Sequence, residues 1–578
     1  MKNQEIAKIF RQIADILEIK GENPFSIRAY QRAAQNIESI PEDIEILIKE
    51  DKVKSIPGIG KDLEEKIKEI ASKGRLQFLE DLKKDIPQSL LDILNIPGVG
   101  PKTAKLLHEK LGIRDIVMLE RMANAGKIRQ LPGIREKTEE NILRGIELLK
   151  RGQDRMDLKT ATDVADSFVR ELKKIKEVKK IDAAGSLRRM KETVRDIDIL
   201  VSSKKSEKVM SFFTTLPDIK NVIARGPTKS SILTKDDIQV DVRVIEDTSY
   251  GAALMYFTGS KEHNIKLRQL AIRKGFKLNE YGIFRKDKKI AGKTEEEMYK
   301  TLGLPYIIPE LREDRGEVEA ALEGRLPKLV DSTDIKGDLH VHSNWSDGGS
   351  SIEEVVLKAR NMGYEYIAIT DHSQGLKIAG GLDKEKLKQK SKEIERLTRK
   401  YKDIKILFGT EVDIDSNGEL DYSDDMLREM DIVIAAVHAG FKQSKEKLTR
   451  RIIKACQNRH VQIIAHLTGR LWGAREAYEV DLEEIFKACK DTGTMLEINS
   501  FPQRLDLSDI NCRMAKDFGV RFAINTDAHI ADQLDLMRFG VSVARRGWLE
   551  KKDIINTLGF DRLKSSLNKS SHFNNVEV

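Results

Sequence analysis

The chain lacks the segments that mark membrane-spanning, exported or disulfide-bonded proteins. It has only three cysteines, Cys456, Cys489 and Cys512, and they lie apart without metal-ligand spacing. We therefore expect reduced core thiols and a cytoplasmic protein. No apolar run approaches the ~18 residues of a membrane span. The N-terminus also lacks the apolar core of a signal peptide.

A chain of 578 residues exceeds one hydrophobic core, so several domains are expected. Its net charge of +8 is unevenly placed, because residues 1–334 hold 64 basic and 56 acidic side chains while residues 335–578 hold 38 of each. A basic front half is typical of a protein that binds a polyanion. A solvated surface of lysine and glutamate explains the same charge equally well.

Three related turns in the front half predict contacts to a phosphate backbone. The copies are Ile56-Pro57-Gly58-Ile59-Gly60-Lys61, Ile96-Pro97-Gly98-Val99-Gly100-Pro101-Lys102 and a degenerate Leu131-Pro132-Gly133-Ile134-Arg135. Such a turn before a helix presents backbone N–H groups and a helix N-terminus to an anion. The repeat resembles the helix-hairpin-helix motif. We expect DNA contacts at Gly58, Gly60, Lys61, Gly98, Gly100 and Lys102.

Alternation in the middle of the chain places three aspartates on the polar faces of two strands. In Asp196-Ile197-Asp198-Ile199-Leu200 the aspartates share one face, and Gln239-Val240-Asp241-Val242 places Asp241 likewise. Three carboxylates on neighbouring strands suit two Mg²⁺ or Mn²⁺ ions. The upstream Gly185-Ser186 turn and Arg189 suit triphosphate oxygens. Solvated aspartates on an edge strand are the alternative.

Residues 1–325 resemble a family X DNA polymerase, similar to DNA polymerase beta. The resemblance runs through Gly185-Ser186, Arg189, Asp196-x-Asp198, Asp241 and Tyr256-Phe257-Thr258-Gly259-Ser260 with Asn264 and Arg268. It implies a lyase-type helical domain at residues 1–84, fingers at 85–152, a nucleotidyltransferase palm at 153–255 and a thumb at 256–325. It also implies that the three aspartates bind two metal ions and that Asp241 accepts the primer hydroxyl proton.

The same resemblance assigns substrate contacts. Gly185, Ser186 and Arg189 would meet the triphosphate of a dNTP, Tyr256, Phe257 and Gly259 its sugar, Asn264 the base edge, and Arg268 the template strand. Lys66 falls where the lyase nucleophile of the family belongs, although Asp62 and Phe25 replace basic family positions. A lysine after such a turn is otherwise a phosphate contact or a surface residue.

Residues 335–578 repeat a short apolar run that ends near a metal-ligand side chain. Apolar runs between helical stretches predict buried parallel strands, whose carboxyl ends meet at one rim of a barrel. The side chains at those ends, with one in a following loop, are His340, His342, Asp347, His372, Glu411, His438, His466, Asp527 and His529. They predict a site for several ions, and mixed nitrogen and oxygen ligation suits Mn²⁺, Zn²⁺ or Fe²⁺.

Residues 335–570 resemble the polymerase and histidinol phosphatase (PHP) domain, a distorted (β/α)7 barrel, after a linker at 326–334 and before a tail at 571–578. All nine positions of the family metal pattern are filled, enough for up to three ions. The resemblance implies metal-dependent hydrolysis of a phosphodiester or phosphomonoester. Arg470 and Arg504 are the predicted contacts to the substrate phosphate.

The predicted fold is multidomain α+β and α/β, with helical hairpin domains, a mixed-sheet palm, a thumb and a barrel. We expect a monomeric DNA repair enzyme that binds gapped or nicked DNA. The palm adds nucleotides from dNTPs, and the barrel acts as a 3′-5′ exonuclease or 3′-end phosphoesterase, with abasic-site cleavage as a further activity. Two alternatives remain: a small-molecule phosphatase barrel on a DNA-binding platform with an inactive palm, and a non-enzymatic DNA-binding scaffold.

Overall fold

The computed structural model describes residues 2–39, 44–56, 58–84, 86, 90–91, 93–96, 99–134, 136, 138–140, 142–143, 146, 155–472 and 475–569. The chain divides into two compact units. The first comprises Met1–Arg155 and Ile245–Tyr306, and the second comprises Met156–Val244 and Ile307–Val578. None of the described helices combines the length and apolar character that crossing a membrane requires.

The front of the first unit is helical, as the hairpin motifs predict. Its helices are Lys2–Lys20, Pro24–Ser39, Ile44–Lys49, Lys61–Lys73, Gln77–Lys84, Pro101–Leu111 and Ile116–Asn124. Their apolar faces pack into one core that includes Phe10, Ile67 and Leu107, all fully buried. The core holds the hairpin turns in place because the turns connect its helices.

The palm part of the second unit is built on a five-stranded mixed sheet. Its strands are β2 (Lys180–Ala183), β4 (Asp196–Ser202), β5 (Ile219–Arg225), β6 (Lys229–Thr234) and β7 (Gln239–Ile245), in the order β2-β4-β7-β6-β5. Two further strands, β1 (Met156–Asp157) and β3 (Thr193–Val194), pair with each other. Helices cover Leu158–Lys173, Gly185–Arg188 and Ser206–Phe213. The predicted alternation is present, since Ile197 and Val240 are fully buried and the aspartates point to the other face.

Residues 245–306 complete the first unit with a smaller α+β segment. Its helices are Tyr250–Thr258, Lys261–Arg273 and Glu295–Thr301, and its antiparallel strands are β8 (Lys277–Asn279), β9 (Gly282–Arg285) and β10 (Lys288–Ala291). The first helix ends at Gly259 and the second begins after Ser260, whose side chain accepts a hydrogen bond from the His263 amide. This cap sets the turn that carries the predicted sugar contacts.

The seven predicted barrel strands are present, and each pairs in parallel with the next. They are β11 (Gly337–Asp338), β12 (Tyr366–Ile369), β13 (Lys405–Asp413), β14 (Ile432–Ala436), β15 (Ile463–Ile464), β16 (Met495–Asn499) and β17 (Phe522–Asn525). A parallel bridge between Val341 and Ala528 brings the last strand back to the first, so the barrel is nearly closed. The predicted fold class is therefore confirmed.

Helices surround the strands and begin at caps that the sequence supplies. They cover Ile352–Asn361, Lys384–Lys400, Asp424–Leu427, Lys445–Gln457, Leu482–Thr492, Asp509–Asp517, Met537–Arg546 and Phe560–Leu567, and Glu317–Leu322 precedes the barrel. At five of these helices a serine or aspartate side chain accepts a hydrogen bond from a first-turn amide, namely Ser351, Asp383, Ser444, Asp481 and Ser508. The helix starts therefore follow directly from residue type.

Candidate functional sites in the palm and the barrel

The three palm aspartates lie on adjacent strands and influence one another. Burial, with the nearby carboxylates of Asp196 and Asp241, raises the pKa of Asp198 to about 7. Asp241 pairs with Lys229, 2.8 Å away, and accepts a hydrogen bond from Gln239. A divalent cation would stabilise the ionised form of a carboxylate that is both buried and close to two others.

The Gly185 turn packs directly against this carboxylate cluster. Gly185 has φ +63°, and a Cβ atom at this position would lie 2.5 Å from Oδ2 of Asp198. The Ala184 amide donates to the Asp198 carbonyl at 2.8 Å. Only glycine permits this approach, so the predicted triphosphate turn and the predicted metal ligands form one local site. Ser186 belongs to the short helix that follows, and Arg189 ends it.

The predicted nucleotide contacts of the first unit form a compact turn. Tyr256 and Phe257 pack edge to face with ring centroids 5.1 Å apart. Asn264 Nδ2 donates to the Tyr256 carbonyl at 2.6 Å, and a Cβ at Gly259 would lie 2.9 Å from Asn264 Oδ1. Arg268 lies one turn further along the same helix as Asn264, with an exposed side chain. Asn264 therefore holds the aromatic pair in a defined position.

The barrel brings the nine predicted metal ligands to one place. Three groups of described side chains have ligand atoms within 4.8 Å of one another: His342, Asp347, His372 and His529; His340, His342 and Asp527; and His372, Glu411 and His438. The ninth residue, His466, places Nε2 3.0 Å from Glu411 Oε1. The palm aspartates do not form a group this tight among the described residues. Shared members connect the barrel groups, which is the arrangement that a site for several ions requires.

Glu411 lies at the centre of the barrel cluster. Its Oε2 is 2.9 Å from His372 Nδ1, 3.5 Å from His340 Nε2 and 3.6 Å from His342 Nε2. Its other oxygen, Oε1, is 3.3 Å from His438 Nε2. A buried carboxylate whose two oxygens meet different imidazoles would serve as a ligand for divalent cations held by this cluster.

Two of the predicted ligands hold unusual backbone conformations. His466 and Asp527 have φ of +26° and +54°, in a region that favours glycine. Asp527 Oδ1 lies 3.1 Å from His342 Nε2, so the strained backbone delivers the carboxylate to the imidazoles. Such strain is concentrated at functional sites, where the surrounding fold imposes it.

Sequence reasoning missed Glu497 and Asp413, whose carboxylates contact the predicted histidine ligands on the Nδ1 side of the ring. Glu497 Oε1 accepts a hydrogen bond from His340 Nδ1 at 2.7 Å, and its Oε2 accepts one from the His466 amide. Asp413 Oδ1 accepts one from His438 Nδ1 at 3.2 Å. Carboxylates in this role set the imidazole tautomer and leave Nε2 for the metal. Glu497 does lie within an apolar run, and a buried acid in a strand was the available signal.

Burial and the neighbouring carboxylates set the charge states of the metal-free cluster. Burial, reinforced by the His372 imidazole, lowers the pKa of His342 to about 4, so this ring is neutral as a ligand must be. Burial alone would lower the pKa of His372, but Glu411 and Asp347 raise it to about 10. Nδ1 of His342 and of His466 is buried and has no hydrogen-bond partner among the described residues. A cation would displace the proton of His372 on binding, and the mixed nitrogen and oxygen donors suit Mn²⁺, Zn²⁺ or Fe²⁺.

Arg504 and Arg470, the two predicted phosphate contacts, have different hydrogen-bond and ion-pair partners. Arg504 Nε lies 3.5 Å from Asp527 Oδ2, and its Nη1 is buried and unpaired within the described part of the chain. Arg470 instead pairs with Glu192 at 2.9 Å and donates to the carbonyls of Arg504 and Leu505. Arg504 therefore offers a donor beside the metal ligands, whereas Arg470 braces the loop that carries it.

Two hairpin turns place predicted DNA contacts in accessible positions. The Ile59 amide donates to the Ile56 carbonyl at 3.1 Å, and the Val99 amide donates to the Ile96 carbonyl at 3.0 Å. Gly60 and Gly100 precede helices at ends that lack a side-chain cap, and Lys61 and Lys102 are exposed. Uncapped N–H groups beside exposed lysines suit phosphate. Gly58 holds φ +79° in the first turn, and Gly98 lies outside the described residues.

Lys66, the predicted lyase nucleophile, is surrounded by an anion and two rings. Its ammonium pairs with Asp62 and lies 4.9 Å from the Phe78 ring centroid and 5.9 Å from that of Tyr30. Burial alone would lower the pKa of Lys66, but the Asp62 hydrogen bond and Tyr30 raise it overall. A raised pKa keeps the amine protonated, which opposes Schiff-base chemistry.

Fold and sites together define a class of protein: a nucleotidyltransferase palm joined to a metal-binding phosphoesterase barrel, with hairpin motifs for DNA. Family models match four segments. They are a helix-hairpin-helix domain at residues 1–76, a SAM-like helix-hairpin-helix tandem at 90–147, the DNA polymerase beta thumb at 253–313 and the PHP domain at 338–501.

Three relatives extend this comparison. The chain is 39% identical over 577 residues to the DNA polymerase/3′-5′ exonuclease PolX of Bacillus subtilis (strain 168), covering 99% of this chain and 100% of that one. It is 31% identical over 231 residues to a probable phosphatase of Thermoanaerobacter sp. (strain X514), covering 38% and 89%. It is 26% identical over 347 residues to DNA polymerase lambda of Arabidopsis thaliana, covering 54% and 62%.

The chain therefore belongs to the family X DNA polymerases that carry a PHP domain, the family of the Bacillus subtilis DNA polymerase/3′-5′ exonuclease. The predicted family and the predicted enzyme class are confirmed.

Proposed function

We propose that this enzyme fills short gaps in DNA and processes 3′ ends during DNA repair. The palm extends a primer from dNTPs, and the barrel hydrolyses the 3′ end as a 3′-5′ exonuclease or end-cleaning phosphoesterase. The proposal is supported by two separate sets of candidate ligands: three aspartates on the adjacent palm strands β4 and β7, and the His, Asp and Glu groups of the barrel. Cleaving or cleaning an end creates the hydroxyl group that extension requires.

For the polymerase reaction, we assign the substrate contacts that the family resemblance implies. Gly185, Ser186 and Arg189 hold the triphosphate, and Asp241 accepts the primer hydroxyl proton. Two Mg²⁺ or Mn²⁺ ions, bound by Asp196, Asp198 and Asp241, would supply charge stabilisation for phosphoryl transfer. In the first unit, Tyr256, Phe257 and Gly259 would contact the sugar, Asn264 the base edge and Arg268 the template.

In the barrel, the nine ligands would hold up to three Mn²⁺, Zn²⁺ or Fe²⁺ ions, which supply Lewis acidity and an activated water. Arg504 orients the scissile phosphate, because its buried Nη1 lacks a partner in the described chain and its Nε lies beside Asp527. Arg470 supports that loop. Cleavage at abasic sites would use the same arrangement, since it also breaks a phosphodiester.

The test uses a gapped, end-labelled duplex with Mg²⁺ or Mn²⁺, with and without dNTPs. Asp196→Ala or Asp198→Ala should abolish extension and spare 3′ hydrolysis, whereas His340→Ala with His342→Ala should do the reverse. Asp236→Ala, which changes an exposed aspartate between β6 and β7, serves as the matched control. Loss of both activities from one set of substitutions would contradict the division into two sites.

A second candidate for the barrel is a phosphomonoesterase. The similarity of the barrel to a probable phosphatase favours this interpretation. A labelled strand that ends in a 3′-phosphate distinguishes the two: a phosphatase releases inorganic phosphate and stops, whereas an exonuclease goes on to release nucleotides.

A further inference from the structure

A buried cluster of charged side chains joins the palm to the barrel within the second unit. Its members are Arg189, Glu313, Arg315, Asp509 and Arg546, hereafter the arginine–carboxylate cluster. Arg189 is the predicted triphosphate contact of the palm, and Arg546 is the last residue of the barrel helix Met537–Arg546. The Arg546 side chain is only 1% exposed.

Arg546 makes three kinds of contact in this cluster. Its Nη1 donates to the main-chain carbonyl of Arg189 at 2.6 Å and to Glu313 Oε1 at 3.0 Å. Its Nη2 donates to Asp509 Oδ2 at 2.7 Å. A single barrel residue therefore fixes both the backbone of Arg189 and the carboxylate that faces its side chain.

Glu313 receives both arginines on the same oxygen. Arg189 Nε donates to Glu313 Oε1 at 2.9 Å, beside the bond from Arg546. Burial alone would raise the pKa of Glu313, but Arg546 and Arg189 hold it below its usual value, so the carboxylate is ionised. Because a guanidinium has five N–H donors in a plane, pairing through Nε sets the direction of the remaining four.

The charge balance decides what Arg189 can offer a triphosphate. The cluster contains three arginines and two carboxylates, a net charge of +1. Removing Arg546 would remove one of the two guanidinium groups that donate to Glu313 Oε1, so more of the charge of that carboxylate would act on Arg189. With its positive charge offset in this way, Arg189 would attract phosphate oxygens less strongly in this partly buried site.

We propose that Arg546 of the barrel is a positioning residue for the polymerase reaction: it fixes Arg189 and shares Glu313, so that Arg189 retains its charge and direction for the dNTP triphosphate. The inference rests on the proposed function of the palm. It makes the polymerase site depend on the barrel, since Arg546, a barrel residue, donates to the Arg189 carbonyl and to Glu313.

The test measures single-nucleotide extension on a one-nucleotide gap in the full-length protein, with dNTP concentration varied. Arg546→Met should raise the KM for dNTP about tenfold or more, the effect of losing charged hydrogen bonds, with kcat changed far less. Arg546→Lys should recover part of the loss. Arg545→Met is the matched control, because Arg545 pairs with Glu310 and the Val330 carbonyl and contacts neither Arg189 nor Glu313 in the described structure.

The double variant Arg546→Met with Glu313→Gln distinguishes an effect of the Glu313 charge on Arg189 from a loss of folding stability. If Glu313 offsets more of the charge of Arg189 when Arg546 is absent, removing that carboxylate should bring the KM for dNTP back toward the wild-type value. The 3′ hydrolysis rate and the melting temperature of each preparation monitor the barrel and the fold.

Two results would overturn the inference. One is a KM for dNTP in Arg546→Met that equals that of Arg545→Met. The other is a parallel fall of kcat, 3′ hydrolysis and melting temperature that neither Arg546→Lys nor the double variant reverses, which indicates a purely structural role. A wild-type protein that does not extend primers would instead refute the proposed palm function, and this inference with it.

Discussion

Arg470 Nη1 and Glu192 Oε2 lie 2.9 Å apart and join the barrel to the palm. Both side chains are mostly buried, and Arg470 also stacks over the Trp472 ring at 4.8 Å. Arg470 donates in turn to the carbonyls of Arg504 at 2.8 Å and Leu505 at 2.9 Å. A palm carboxylate therefore braces the loop that holds the proposed phosphate contact of the barrel.

Glu192→Gln should weaken 3′ hydrolysis although it lies outside the barrel. Without the carboxylate charge, Arg470 holds the Arg504 loop less firmly, and we expect the KM for the DNA substrate to rise about two- to thirtyfold. The measurement is the steady-state rate of 3′ hydrolysis against DNA concentration. Glu177→Gln is the control, because it removes a palm ion pair with Lys208 at the surface. Equal kinetics for the two variants would show that the Arg470–Glu192 ion pair has no effect on 3′ hydrolysis.

The palm carboxylates should show a linked titration in the metal-free protein. The folded pKa of Asp198, about 7, lies above the ordinary value of 3.8. Protonation therefore stabilises the fold below about pH 4, and this contribution is lost as pH rises through about 7. We expect the melting temperature of wild type relative to Asp198→Asn to fall across that interval.

A difference proton titration of metal-free wild type and Asp198→Asn checks the same point. One proton should be released with a midpoint near pH 7, and Asp241→Asn should move that midpoint lower because it removes a repelling charge. A midpoint that Asp241→Asn leaves in place would mean that the two carboxylates do not interact.

Lys66 remains the predicted lyase nucleophile, and its ion pair with Asp62 allows a test of that role. Asp62→Asn removes the carboxylate that stabilises the ammonium, so the pKa of Lys66 should fall and more free amine should be present. Borohydride trapping on abasic-site DNA should then increase over a weak wild-type signal. The exposed neighbour Glu65→Gln should leave trapping unchanged. Trapping that persists in Lys66→Ala with Asp62→Asn would assign the nucleophile to another residue.

The hairpin lysines should contribute to DNA affinity through charge alone. Lys61→Ala and Lys102→Ala should each lower the slope of log affinity against log salt by about one, without changing sequence preference. Lys102 is the clearer case, since its side chain is 89% exposed. Lys73→Ala, at the far end of the same helix as Lys61, is the control. Fluorescence anisotropy with gapped DNA at several salt concentrations measures the slopes, and a Lys73→Ala effect of equal size would argue against the hairpin turns.

Much of the candidate site followed from local pattern. Strand alternation placed Asp196, Asp198 and Asp241 on one face, and apolar runs ending in His or Asp marked the barrel rim. Both inferences depend on the period of a strand and on the shared direction of parallel strands, which short segments encode. Pattern marked Glu497 as an acid within an apolar run, but it could not assign a supporting role to Glu497 or Asp413, because that role depends on which imidazole each carboxylate faces.

Sequence alone determined the residue types at the two sites, the hairpin turns and the seven barrel strands, since each depends on neighbours a few positions away. Tertiary structure decided which groups each arginine contacts. Arg504 lies beside Asp527, Arg470 pairs with Glu192 and braces the Arg504 loop, and Arg546 reaches Arg189. The physical reason is that an arginine side chain is long enough to contact groups on elements distant in sequence. Arg470 and Arg546 contact groups that lie hundreds of positions away in sequence, and only the packed fold specifies which group each long side chain meets.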